Sequence, residues 1–120
     1  MTKQVAVLIG SGSKTSFSKL TVKHLQKIAP ASIQLNVMEI ADLPLYDRDL
    51  DENSPAAYTR VREAVASADA VLLVTLAYDG GVSAMLKNAI DVVSRPMGQS
   101  KWIGKRAGIV SVGAGAGGGV

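Results

Sequence analysis

The stretch richest in possible chemistry is Gly10-Ser11-Gly12-Ser13-Lys14-Thr15-Ser16. Small residues let neighbouring backbone N–H groups converge on one point. The hydroxyls add donors, and a helix beginning at Ser16 adds the positive end of its dipole. Together these suit an anion, and phosphate is the anion such loops usually take. The plainer reading is a hydroxyl-rich loop in which Thr15 or Ser16 merely caps the helix. Spacing alone leaves both open. Familiar phosphate loops match poorly. A Walker A loop needs glycine directly before its lysine and another five residues earlier, where this chain has Ser13 and Leu8. The dinucleotide pattern G-x-G-x-x-G finds Gly10 and Gly12 but meets Thr15 in third place. A phosphate-receiving domain would place acidic residues at the end of the first strand, and there are none.

Other reactive groups are sparse. The chain has no cysteine, which excludes disulfides, thiolate chemistry and cysteine metal sites. Its one histidine, His24, falls on an apolar stripe and is expected to be packed or half-buried. Asp47, Asp49, Asp51 and Glu52 form an acidic cluster without the glycine and spacing of an EF-hand, so a solvated loop is expected rather than a metal site.

The elements around the loop follow from periodicity. Val5 to Ile9 is a continuous apolar run ended by Gly10, as in a strand buried on both faces. Phe17, Leu20, His24, Leu25 and Ile28 recur at helical spacing until Pro30. Ile33, Leu35 and Val37 alternate with polar residues, predicting a half-exposed edge strand. Residues 42–53 read as a loop. Ser54-Pro55 is a helix start, a capping hydroxyl before proline, with Tyr58, Val61, Val65 and Ala68 on the buried stripe. Ala70 to Thr75 is a third strand and Leu76 to Val82 the loop after it. Ser83 to Val93 is a helix that buries Leu86, Ala89, Ile90 and Val93, and Arg95-Pro96 closes it. Gly108 to Val112 is a fourth strand, followed by a glycine-alanine tail from Gly113.

Strands alternating with helices imply a parallel α/β sheet covered on both faces. Ligands bind such sheets at the carboxyl ends of the strands, where the strand order reverses. Ser11–Ser18, Leu76–Val82 and Gly113 onward all follow strands and therefore share one edge.

At 120 residues and 48% hydrophobic, one domain with one core is expected. The net charge of +3 comes from interspersed charges with no basic run, which argues against nucleic acid. No stretch reaches the roughly 18 apolar residues of a membrane helix. Met1 to Gln4 leads straight into a strand and leaves no room for a signal peptide. A cytoplasmic protein with no membrane partner is the default expectation.

Several stretches together resemble the NADPH-dependent FMN reductase family, above all its chromate- and quinone-reducing members. They are Ile9-Gly10-Ser11 through Lys14, Ser16 and Phe17; Ile40-Ala-Asp-Leu-Pro-Leu-Tyr46; and Ala68 to Thr75 with Tyr78. The most specific is Leu86-Lys-Asn-Ala-Ile-Asp91 followed by Ser94-Arg-Pro96, continued by Gly98-Gln99-Ser100, Trp102 and Gly104-Lys105. The likeness covers essentially the whole chain. It implies a flavodoxin-like, doubly wound parallel sheet ordered 2-1-3-4, forming a single domain over residues 1–120. It also implies an oxidoreductase in which NAD(P)H gives a hydride to FMN N5, and a quinone, azo dye or metal oxyanion such as chromate then takes the electrons. The FMN-binding positions it implies are Ser11, Gly12, Ser13, Lys14, Ser16, Phe17, Ser18, Leu76, Ala77, Tyr78, Asp79 and Gly113. The cofactor carries the redox chemistry, so no catalytic side chain and no metal are expected. Subunit contacts are implied near Arg95 and Trp102, in a homodimer or homotetramer.

Departures from the family pattern fall on the flavin-facing loops. The family's first loop reads G-S-L-R-x-x-S-x-N. Here Ser13 stands at the phosphate-binding arginine and Ser18 at the asparagine. The second reads T-P-E-Y-N, against Thr75-Leu76-Ala77-Tyr78-Asp79. Serine lacks the charged fork of arginine, although Lys14 lies nearby and the loop's backbone donors do not depend on side chains. Family members also continue past this length, adding a fifth strand and helices. The expectation is therefore a fragment or engineered version whose fourth strand is an exposed edge. The rival function is a flavodoxin-like binding or assembly module that has lost FMN, and a nucleotide-binding domain using Gly10 and Gly12 is a third.

Overall fold

A computed structural model describes residues 2–13, 16–78 and 81–113. Apolar β1 (Lys3–Ile9) lies at the centre of the sheet, pairing in parallel with β2 (Ile33–Met38) on one side and β3 (Ala70–Tyr78) on the other. The register sets Val5 opposite both Leu35 and Ala70. A two-residue β4 (Gly81–Val82) folds back on β3, and β5 (Arg106–Val112) pairs in parallel with β3 on its far side. The parallel strands run β2-β1-β3-β5, the expected 2-1-3-4 order.

Alternation along β1 divides the core in two. Ala6 and Leu8 join Tyr58, Val61, Val65, Val71, Leu86, Ala89, Val92 and Val93 beneath α2 (Ala56–Ser67) and α3 (Ala84–Val93). Val7 and Ile9 point the other way, onto Val22 of α1 (Phe17–Ile28) and Val74. Helices thus cover both faces, and the carboxyl ends of the strands form one open edge.

Four local expectations are corrected. First, Leu76 to Val82 is not simply a loop: its apolar start prolongs β3 to Tyr78, and Ala77 and Tyr78 pair antiparallel with Val82 and Gly81. Second, α1 turns a different face inward. Ser18 and Val22 are buried, whereas Phe17, Leu20 and Ile28 are 64%, 56% and 62% exposed and His24 is exposed rather than packed. The apolar residues of α1 mark two faces, and Val22 is the one that fits the gap over Val7, Ile9 and Val74. Third, Ser54 does not cap α2. Its hydroxyl donates to Leu50 O (2.9 Å) and accepts from Arg62 Nη1 (2.8 Å), and the cap position, Pro55, makes no side-chain bond. Fourth, the acidic loop contains a 3-10 turn, Arg48–Leu50, that Asp47 caps by accepting from Asp49 N at 2.9 Å.

Loop and helices are tied together by side chains. Asn88 accepts from Tyr46 N (2.8 Å) and donates to Pro44 O (3.1 Å), which fixes residues 43–46 against α3. The Tyr58 hydroxyl donates to Pro44 O and Leu45 O. Arg62, buried beneath its own helix, donates Nε–H to Val92 O and stacks 5.4 Å over Tyr58. Trp102 Nε1 donates to Ile90 O, and Lys105 Nζ donates to Ala66 O and Ala68 O, so residues 94–105 fold back over α3 and α2.

Candidate functional site

The site is built where β1 stops. Gly10 N donates to Val74 O at 2.7 Å, which holds the chain against β3 for one residue past β1. A Cβ on Gly10 would collide with Ser83 Oγ and come within 3.0 Å of Leu86 Cβ and 3.3 Å of Thr75 Oγ1. A Cβ on Gly12 would lie 3.2 Å from Met85 Cε. The loop therefore lies directly on the first turn of α3, and both glycines are used for close approach rather than for an unusual φ.

Each helix facing this loop begins with a satisfied cap. Ser16 Oγ accepts from Ser18 N (3.1 Å) and Lys19 N (3.3 Å) at the start of α1. Ser83 Oγ accepts from Leu86 N at the start of α3, while Ser83 N donates to Thr75 Oγ1 (3.2 Å) at the end of β3. The amide-rich ends of two helices thus meet one glycine-serine loop at the carboxyl edge of the sheet, an environment of positive potential. Ser11 Oγ accepts from Ser13 N at 3.3 Å and shapes the loop from within.

The expected site residues separate as follows. Ser11, Gly12, Ser13 and Ser16 sit together on the loop, with Gly12 and Ser13 exposed and Ser16 buried. Ser18 is fully buried, and its hydroxyl has no hydrogen-bond partner among the described residues. Phe17 projects outward from α1. Leu76, Ala77 and Tyr78 are the last three residues of β3, and Gly113 follows Val112, the partner of Leu76, so both segments reach the edge that carries the loop. Lys14 and Asp79 lie outside the described residues.

Sequence reasoning missed the walls. Ser83 and Met85 back the loop, and a cleft of about 290 Å³ opens between Ser11, Gly12, Lys19, Met85 and the turn Glu39–Ala41 after β2. The signal was available: a 2-1-3 strand order sets the starts of α3 and of the loop after β2 on either side of the β1 loop. A larger hollow, about 590 Å³, runs along the outer face of α2 far from this edge and is a surface groove.

Known proteins share this architecture. The model of the family described as NADPH-dependent FMN reductase matches residues 4–120. The chain belongs to the NADPH-dependent FMN reductase family. A quinone reductase of Pseudomonas putida is 48% identical over 116 residues, covering 96% of this chain and 62% of the relative. A 2-hydroxy-1,4-benzoquinone reductase of a Burkholderia species is 37% identical, over 97% of this chain and 63% of the relative. The solved structure of FerB, a flavoenzyme NAD(P)H:(acceptor) oxidoreductase of Paracoccus denitrificans, superposes with a TM-score of 0.91 at 38% identity, covering 95% of this chain and 63% of FerB. The chain thus spans a little over three-fifths of each of these FMN reductase relatives. The fold is flavodoxin-like, as the resemblance implied.

Proposed function

We propose that this chain is the flavin-holding part of an FMN-dependent NAD(P)H oxidoreductase that reduces quinones. The observation that carries this reading is the seating of Gly10–Gly12 on the first turn of α3, which sets two helix starts beside one glycine-serine loop. The residues present fit a phosphoryl group. Ser11, Gly12, Ser13, Lys14 and Ser16 supply backbone amides and hydroxyls for it, with Ser18 and Phe17 at the adjoining helix start. Leu76 to Tyr78 and Gly113, on the same edge, border the place for the ring system, and Asp79 is a further ring-side position that the family resemblance implies. FMN, when bound, supplies the two-electron chemistry. The chain's own part is to bind the phosphate, orient the ring and leave one ring face open to NAD(P)H and then to the acceptor. No side chain is asked to move a proton.

Quinone is the favoured acceptor because the Pseudomonas putida and Burkholderia relatives are named as quinone reductases. Azo dyes and oxyanions such as chromate are further acceptors that the family resemblance implies, as are a cytoplasmic setting and a homodimer or homotetramer. Ser13 in place of arginine makes the phosphate grip weaker than the family norm. The test is NAD(P)H oxidation with a benzoquinone, with and without added FMN, corrected for the free flavin reaction. Weak but FMN-dependent turnover is expected. A rate indifferent to FMN would overturn the enzyme reading in favour of a binding module.

A further inference from the structure

We propose that Lys19 is the cation that grips the flavin phosphate, reaching the loop after β1 across the cleft that opens beside it. The inference rests on the reading of that loop as a phosphate site and names the residue that supplies its charge. Lys19 is the third residue of α1. Helical side chains lean toward the N-terminus of their helix, so Lys19 extends back toward the loop. It lines the cleft of about 290 Å³ together with Ser11, Gly12 and Met85, and it is half-buried. The cleft lies between the β1 loop and the turn after β2, on the side of β1 away from β3 and β5.

No carboxylate among the described residues pairs with Lys19. Glu39 lines the same cleft, but its Oε1 accepts from Ala41 N at 2.9 Å and is held by its own turn. A lysine in the first turn of a helix stands against the dipole, which favours acids there. The first turn of α1 contains no acid to offset it, and neither does that of α3. Two helix starts and one ammonium therefore add positive potential beside a single loop. A bound anion relieves that repulsion, and a phosphate monoester, with a charge of about −1.5 to −2 at pH 7, relieves it more than a singly charged anion. Ser13 brings no charge of its own, which leaves this task to a neighbouring side chain.

The test is fluorescence titration of the unmodified chain and of Lys19→Gln, Lys19→Arg and Lys23→Gln with FMN and with riboflavin. Lys23, exposed one turn further along α1, controls for the general loss of a positive charge. Lys19→Gln should weaken FMN binding by about tenfold or more and leave riboflavin binding unchanged. Lys19→Arg should retain the preference for FMN, and Lys23→Gln should change FMN affinity by no more than about threefold. A merely structural role predicts a less stable chain. Relief of the unfavourable dipole contact predicts instead that flavin-free Lys19→Gln has a urea midpoint equal to or above that of the unmodified chain. If the unmodified chain prefers FMN and Lys19→Gln keeps the whole preference, the assignment to Lys19 is overturned while the phosphate reading of the loop stands. A lower midpoint with both flavins weakened together overturns the assignment in the same way. Equal affinity of the unmodified chain for the two flavins overturns the loop reading and this assignment with it.

Discussion

At Gly10 the missing side chain lets β1 end against α3, and the consequence is testable at that residue. Gly10→Ala forces a methyl into Ser83 Oγ and toward Leu86 Cβ. Overpacking of this kind costs about 1–3 kcal/mol, and here it pushes the loop off the helix start that the proposed anion site uses. A lower urea midpoint together with weaker FMN binding is the expected pair of effects. Full FMN affinity in a folded Gly10→Ala chain would show that the contact with α3 is irrelevant to binding. The loop's glycines and hydroxyls marked it from residue types as a phosphate candidate beside the plainer reading of a helix cap, and Ser16 does cap α1. The faces on which Ser18 and His24 lie were not legible. Helical spacing identifies a stripe but not which of two apolar stripes meets the sheet, and Val22 decided that through packing.

Among the elements, the strand order, the three helices and the parallel pairing were readable because apolar runs and helical periods alternate cleanly. The extension of β3 and the short β4 were not, because a two-residue antiparallel pair depends on backbone geometry rather than pattern. The acidic loop was read as solvated, and much of it is, but Tyr58 of α2 and Asn88 of α3 hold it through its backbone, and Tyr46 donates to Asp51 within it. Burial raises the Tyr58 phenol above its ordinary pKa. The folded state therefore holds that proton more tightly than the unfolded chain. The resulting stability is complete below about pH 10 and is lost as pH rises through the folded value. Tyr58→Phe removes that titration and also two hydrogen bonds, with a net loss of about 0.5–1.5 kcal/mol at neutral pH. Melts from pH 8 to 11 should show the variant starting lower and falling less steeply. Parallel curves for the two proteins would mean that Tyr58 does not titrate with unfolding. Tyr46, also raised by burial and by Asp51, remains in the variant, so its curve should not become flat.

As a whole molecule, the chain carries a flavodoxin-like sheet with the edge proposed to bind phosphate, and it spans 62% of the Pseudomonas putida relative's length. That the relatives run longer was foreseen from the family pattern. Misplacing a reacting group by about 1 Å can cost on the order of 100-fold in rate, so turnover should be far lower than in a version extended to the relatives' length. Turnover is nevertheless an indirect readout, since it fails for many reasons. The central claim, that the loop after β1 holds the phosphate of a flavin, is tested most directly by titrating the chain with FMN and with riboflavin while following fluorescence quenching. FMN and riboflavin differ only in the phosphate. The account predicts that FMN binds at least about tenfold more tightly, the yield of one charge-assisted hydrogen bond of about 1.5 kcal/mol. Equal affinities for the two flavins would contradict it.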